Sequence, residues 1–257
     1  MRQSAPASSS AVEVNDFPVP YQRSGSGEPV LALHAEDAAG QWRPFHEALA
    51  ARADVLLPEH PGFGDAERPE WLDTVLDLAY CHLEVLDKLG LERVHLVGES
   101  LGGWVAAELA ALAPERVRSL TLIAPMGLLV EDLPDVFIMN RTRWRSVTRF
   151  AAPEPETEAP SIDQLIKESR VLASLARVGW NPYLHDPRLP SWLHRATMPA
   201  LIVWGREDKL MPCAAAEQWA GLLPQARVAL IPEASHFPAL EQPELVAEAA
   251  MGLMRSA

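Results

Sequence analysis

Gly98-Glu99-Ser100-Leu101-Gly102 is the segment of this sequence best suited to chemistry. An apolar run at 94–97 precedes it, and residues 101–113 with helical spacing follow. A G-x-S-x-G at a strand-to-helix turn is a nucleophile elbow. Its glycines permit a tight bend that lifts the serine hydroxyl above the sheet edge, and the helix N-terminus behind it favours developing negative charge. Serine is a weak nucleophile and needs a base. His236, in Ser235-His236-Phe237, falls between a predicted strand at 227–231 and a predicted helix at 243–254, on the same sheet edge. Asp208, in Gly205-Arg206-Glu207-Asp208, directly follows the apolar run 199–204. A carboxylate there can accept the second ring N–H of the base, fix its tautomer and stabilise the imidazolium. Glu207 is the local competitor and reads as a solvated turn residue.

Seven other histidines are present. His46, His82, His95, His185 and His194 read as ordinary core or surface residues. His34 and His60 end apolar runs and are expected to shape loops. No H-E-x-x-H or comparable spacing occurs, so the reading includes no metal site and no cofactor.

The elements that must position these residues alternate. Apolar runs at 29–34, 54–58, 94–97, 117–124, 199–204 and 227–231 predict buried strands. Helical spacing appears at 41–52, 71–89, 101–113, 214–223 and 243–254, and Gly90 sits where a helix stop is expected. Such alternation predicts an α/β fold, a mostly parallel sheet with helices on both faces. Residues 12–21 supply a first strand interrupted by Pro18 and Pro20, and residues 1–10 read as a disordered leader. The alternation fails between 126 and 196. There, 137–150 is arginine-rich and predicted helical, and 152–160 reads as a loop. Ser161 with Gln164 forms a capping box for a further helix ending near Gly179. The expected organisation is therefore a core of 1–125 and 197–257 with a helical insertion, 126–196.

Composition narrows the function class. The 257 residues are 48% hydrophobic, enough for a sizeable core, and the formal net charge is −13. That charge opposes sequence-independent nucleic-acid binding and docking on anionic membranes. Cys81 and Cys213 form no C-x-x-C pair, no apolar run matches a signal peptide or a membrane span, and a cytoplasmic location follows as the expectation. The expected partner is a small, partly apolar substrate. Oligomeric state is left open, with a homodimer as the candidate.

The chain order Ser100, Asp208, His236, with LALH, HPGFG, VGESLGGW, PALIVWGREDKLMP and SHFPALEQPE, resembles the α/β-hydrolase superfamily over about Pro29 to Met254. It looks most like the capped branch of esterases, carbon–carbon bond hydrolases, dehalogenases and epoxide hydrolases. Serine rather than aspartate at position 100 points away from the last two. The resemblance implies that 126–196 is a cap and that the backbone N–H groups of Glu36 and Leu101 form the oxyanion hole. Relatives commonly carry His-Gly where this chain has His34-Ala35-Glu36. Ala35 is thus expected to strain a conformation that glycine adopts freely, and the Glu36 side chain to point to solvent or to a cap arginine. Arg141, Arg145 and Arg149, if helical, form one basic stripe: a solvated face, or a clamp for a substrate carboxylate or phosphate. Met126, Trp144 and Phe237 are the expected substrate-pocket residues. Phe137, Trp180, Tyr183 and Trp192 are expected in the cap's own core.

The implied activity is hydrolysis of an ester, thioester or lactone through an acyl-enzyme. Cleavage of a carbon–carbon bond in a keto acid or diketone, acyl transfer, and non-catalytic ligand binding are the alternatives.

Overall fold

The computed structural model describes residues 7–64, 67–151 and 160–257. Eight strands form one sheet: β1 (Ser8–Val14), β2 (Phe17–Gly25), β3 (Pro29–Leu33), β4 (Asp54–Pro58), β5 (Val94–Glu99), β6 (Val117–Ile123), β7 (Ala200–Gly205) and β8 (Ala226–Ile231), in the spatial order β1-β2-β4-β3-β5-β6-β7-β8. The six strands from β4 to β8 pair parallel, as expected when helical crossovers join them. β1 and β2 add an antiparallel hairpin at one edge.

That hairpin corrects the expected leader. Strand structure begins at Ser8, within the residues read as disordered, and residues 1–6 lie outside those described. It also replaces the single first strand with two. The break falls at Asn15 and Asp16, both at positive φ (47° and 58°), a pair of residue types that tolerates the left-handed turn joining tight hairpins. The prolines do not break β2. The Pro20 carbonyl accepts from Glu59 N–H at 2.8 Å, on the side away from β1, so the β1 ladder does not need the missing proline N–H.

Two apolar layers sandwich the sheet. Successive residues of a strand point to opposite faces. In β5, Leu96 joins one cluster and Val97 the other. The first layer receives α2 (Val75–Lys88), α3 (Leu101–Leu112) and α6 (Ala215–Leu222). The second receives α1 (Pro44–Ala50), α7 (Pro238–Glu241) and α8 (Pro243–Met254). α3 is buried along nearly its whole length, and its run of small residues allows close approach to β5.

Between β6 and β7 the chain leaves the sheet and forms α4 (Arg141–Thr148) and α5 (Ile162–Gly179). α4 is shorter than the predicted 137–150 helix. Asn140 caps it, its side chain accepting from Arg143 N–H at 2.8 Å, and only a short 3-10 turn, Val136–Ile138, precedes it. α5 starts at the predicted capping box: Gln164 N–H donates to Ser161 Oγ at 3.2 Å, and Ser161 N–H donates to Gln164 Oε1 at 2.9 Å. Most of the loop predicted at 152–160 lies outside the described residues. The segment is not packed separately. Leu175, Leu184, Leu189 and Leu193 belong to the same cluster as α2 and α3. Among the described residues, no helix is long and apolar enough to cross a membrane.

Candidate active site

β5 ends at Glu99 and α3 begins at Leu101, so Ser100 alone turns the chain. It does so at φ 53° and ψ −114°, a region costly for a residue with a side chain, by about 1–3 kcal/mol. Its surroundings hold it there. Ser100 N–H donates to Ile123 carbonyl at 2.9 Å, and its carbonyl accepts from Gly103, Trp104 and Met126 at 3.0, 3.1 and 3.1 Å. The elbow glycines are needed for close approach. A Cβ on Gly102 would lie 2.2 Å from Leu33 carbonyl oxygen, and one on Gly98 would lie 2.2 Å from Gly102 carbonyl oxygen. Neither neighbour is a flexible side chain. Gly102→Ala should therefore cost about 3 kcal/mol and lower the melting temperature by roughly 6–12 °C. Thermal unfolding checks this, and a shift under about 2 °C would contradict the packing argument.

Three side chains from three strand ends meet above the elbow. Ser100 Oγ lies 2.9 Å from His236 Nε2, and His236 Nδ1 lies 2.9 Å from Asp208 Oδ2. With Asp208 ionised, the tautomer serving both contacts carries its proton on Nδ1 and leaves Nε2 free to take the serine proton. Asp208 Oδ1 accepts from Leu210 N–H and Met211 N–H, both at 2.9 Å, and Oδ2 also accepts from Trp204 Nε1–H at 3.0 Å. Glu207 instead accepts from Ala234 N–H at 3.3 Å and makes no contact with the ring. Ser100, His236 and Asp208 are all closed off from solvent.

Burial alone would lower the His236 pKa. The Asp208 charge and hydrogen bond act against it, and the value lies above the ordinary 6.5. Only the neutral ring can take a proton from Ser100. Activity should therefore rise with pH through a titration above pH 6.5, read as the acidic limb of a kcat/KM profile. A limb centred below about 6 would contradict this assignment.

The loop after β3 differs from expectation. Ala35 does not adopt positive φ, so the expected strain at that position is absent. Glu36 does not reach solvent or an arginine. It is 2% exposed, neither carboxyl oxygen has a hydrogen-bond partner among the described residues, and it faces the Ser100 hydroxyl and the His236 ring. Ala35 and Ala38 pack against Phe237, drawing this loop down onto the site. Burial, and then the neighbouring Asp37, raise the Glu36 pKa, while His236 and the nearby Glu36 backbone N–H and Ser100 hydroxyl work in the opposite direction. Leu101 opens α3, where an amide N–H has no intrahelical acceptor. The backbone N–H groups of Glu36 and Leu101 thus belong to the two chain segments that flank Ser100.

A chain of buried histidines ties this loop down, and sequence reasoning missed its last member. His60 N–H donates to His34 Nε2 at 2.9 Å, so the His34 proton is on Nδ1, 2.6 Å from Ala35 carbonyl. His60 Nε2–H donates to His34 carbonyl at 3.0 Å, so His60 Nδ1 accepts from His82 Nε2–H at 2.7 Å. One neutral tautomer of each ring satisfies every contact. Burial keeps them neutral, lowering His34 to about 4 and His82 to about 3. His82 sits on α2, far in sequence from the loop it supports, and nothing in its spacing signals this.

A cavity of about 340 Å³ opens between this loop and the segment that follows β6. Glu36, Phe63, Met139, Trp144 and Leu175 contribute to its wall, with Arg141 and Lys167 on the α4–α5 side. Trp144 lies on this wall. Met126 and Phe237 are not on this wall. Met126 is buried beneath the elbow, and Phe237 is buried between Trp144 and the Arg149 guanidinium, which lies 4.7 Å from its ring centre. The expected arginine stripe is also broken. Arg141 pairs with Glu168, whereas Arg149 leaves the helix in an extended conformation and packs over Phe237. Among the described residues, no group of three or more His, Cys, Asp or Glu is arranged to hold a metal ion.

The family model described as alpha/beta hydrolase fold matches residues 28–176 and 160–243. The chain is 30% identical to the dihydrolipoyllysine-residue acetyltransferase component of the acetoin cleaving system of Pseudomonas putida, over 89% of its own length and 64% of that protein's. It is 26% identical to the 2-hydroxy-6-oxo-6-(2'-aminophenyl)hexa-2,4-dienoic acid hydrolase of Metapseudomonas resinovorans, over 91% of its own length and 86% of that enzyme's. The crystal structure of a membrane phospholipase A superposes with a TM-score of 0.77 at 25% identity, covering 97% of this chain and 86% of that one.

Proposed function

The chain belongs to the alpha/beta hydrolase fold family, and we propose that it is a serine hydrolase cleaving an ester, thioester or lactone through an acyl-enzyme. The observation that carries this reading is the unbroken hydrogen-bonded chain from Ser100 through His236 to Asp208. Ser100 Oγ attacks the acyl carbon as His236 takes its proton. Backbone N–H groups of Leu101 and Glu36 receive the oxyanion. His236 then gives the proton to the leaving group and activates water to release the acyl chain. The α4–α5 segment acts as the cap, and the mixed apolar and polar wall of the 340 Å³ cavity suits a small, partly apolar substrate.

Carbon–carbon cleavage by the same triad is the second reading. The observation favouring it is that Arg141 and Lys167, two cations, lie on the cavity wall where the carboxylate of a keto acid could rest. The 26% identity to a dienoic acid hydrolase supports it in the same degree. Steady-state assays on chromogenic esters of increasing acyl length, run beside one vinylogous keto acid, separate the two. The ester reading expects the higher kcat/KM on an ester. Turnover of the keto acid alone would transfer the assignment to carbon–carbon hydrolysis, and turnover of neither would leave a ligand-binding role.

A further inference from the structure

Glu36 lines the cavity and faces Ser100 and His236. Its carboxyl lies beside its own backbone N–H and the Ser100 hydroxyl, the place where the substrate oxygen must gain charge. Backbone amides are sufficient to hold an oxyanion, so a carboxyl there needs a reason of its own. As an anion it would oppose the developing charge from a position closed to water. As a neutral acid it becomes a donor aimed at that charge.

We propose that the Glu36 side chain, held as a protonated carboxylic acid, is an additional catalytic residue that donates a hydrogen bond to the oxygen on the reacting carbon. This rests on the serine hydrolase reading above and deepens it. The proton remains on Glu36 throughout, so no atom is consumed and no co-reactant is needed. A carboxylic acid kept neutral by its surroundings can act as an oxyanion donor alongside other groups.

The groups around Glu36 fit this role. Asp37, on its own loop, disfavours a second negative charge beside it. Glu99 sits at the end of β5 behind the elbow, and Arg43, at the start of α1, lies 3.6 Å from Glu99 and 3.8 Å from Asp37. That cation is therefore shared by two other carboxylates. Arg149, following α4, is engaged with Phe237. Arg141, Lys167 and Glu168 stand across the cavity. His236 is the remaining neighbour, and Asp208 already holds its second nitrogen.

The test is a set of kcat/KM profiles against pH for wild type, Glu36→Gln and Glu36→Ala on one ester, with Ser100→Ala as control. Wild type is expected to show an acidic limb from His236 and an alkaline limb as Glu36 ionises. Glu36→Gln keeps a donor and cannot ionise. It should stay within about threefold of wild type at the optimum, keep the acidic limb in place and lose the alkaline one. Glu36→Ala should lose about a hundredfold in kcat with a smaller change in KM. Three results would overturn the proposal. A rise in turnover in either variant would mean that the carboxyl obstructs the site. An acidic limb displaced to lower pH in Glu36→Gln would mean that Glu36 is charged in the working enzyme. Wild-type profiles in both variants would leave it no role. If Ser100→Ala retained the wild-type rate, the hydrolase reading itself would fail, whatever the Glu36 variants did.

Discussion

Replacing Ser100 with alanine should lower kcat by about a millionfold, roughly 8 kcal/mol of barrier, and leave the protein folded. The structure separates the two effects. Ser100 Oγ lies 2.9 Å from His236 Nε2 and beside the Glu36 carboxyl. Its remaining hydrogen bonds come from backbone N–H and carbonyl groups, which alanine retains. Losing one buried hydrogen bond costs about 1 kcal/mol, or a melting shift of roughly 2–4 °C in a chain of this size. Alanine meets the same positive-φ penalty as serine, so backbone strain should change little. Kinetics and thermal unfolding on one preparation check both halves. Residual turnover above about a thousandth of wild type would remove Ser100 from the role of nucleophile.

Asp208→Asn is expected to have the next largest effect, a loss of about ten-thousandfold in kcat. Its cause can be traced atom by atom. All the acceptor capacity of the Asp208 carboxylate is in use: Oδ1 takes two backbone N–H groups, and Oδ2 takes the indole N–H of Trp204 and the ring N–H of His236. An asparagine has one acceptor oxygen. If that oxygen serves Leu210 and Met211, the amide NH2 faces Trp204 and His236. The ring must then accept on Nδ1 and carry its proton on Nε2, where it can no longer receive the serine proton. Turning the amide over would set its NH2 against two backbone donors instead. Either arrangement also destabilises the loop, so a lower melting temperature should accompany the kinetic loss. Full activity in Asp208→Asn would show that His236 is oriented by another group.

The sequence was most informative where local chemistry and local structure agree. The elbow is readable because the tight bend between an apolar strand and a helix demands glycine, serine and glycine at fixed spacing. Asp208 and His236 follow apolar runs, and a parallel sheet brings the ends of such runs to one edge. The helix start at Ser161 is written in its capping box. What was not legible depends on contacts distant in sequence. The β1–β2 hairpin was read as one strand because the turn at Asn15 and Asp16 is only two residues long. Burial of Glu36 depends on Ala35 and Ala38 meeting Phe237, about 200 residues further on. The support that His82 gives to His60 crosses from α2 to the loop after β4. Met126 and Phe237 lie close in sequence to the insertion and to His236, but packing takes both into the interior.

Stability should also carry a trace of the buried histidines. His34, His46, His60 and His82 all have values depressed by burial, with His34 near 4 and His46 and His82 near 3. Their contribution is present above the unfolded histidine value of about 6.5 and is lost as pH falls toward those folded values, because only the unfolded chain takes up protons in that window. Glu99, raised to about 7, works the other way between the carboxylate range and neutrality, and Glu36 shares its direction. His95 is lowered and Glu108 raised to about 7 as well, so five histidines stand against three carboxyls and leave a net loss of stability on acidification toward about pH 5, measurable as a falling denaturation midpoint.

Whether Ser100 is a nucleophile with His236 as its base can be read from labelling with a fluorophosphonate followed by peptide mass mapping. The reagent reacts only with a serine whose proton is being removed and whose developing oxyanion is held. One adduct per chain is expected, on the peptide containing Ser100, absent from Ser100→Ala and slowed by orders of magnitude in His236→Ala. An adduct on another residue, or an unlabelled Ser100 in protein that still hydrolyses esters, would contradict the assignment of Ser100 as nucleophile.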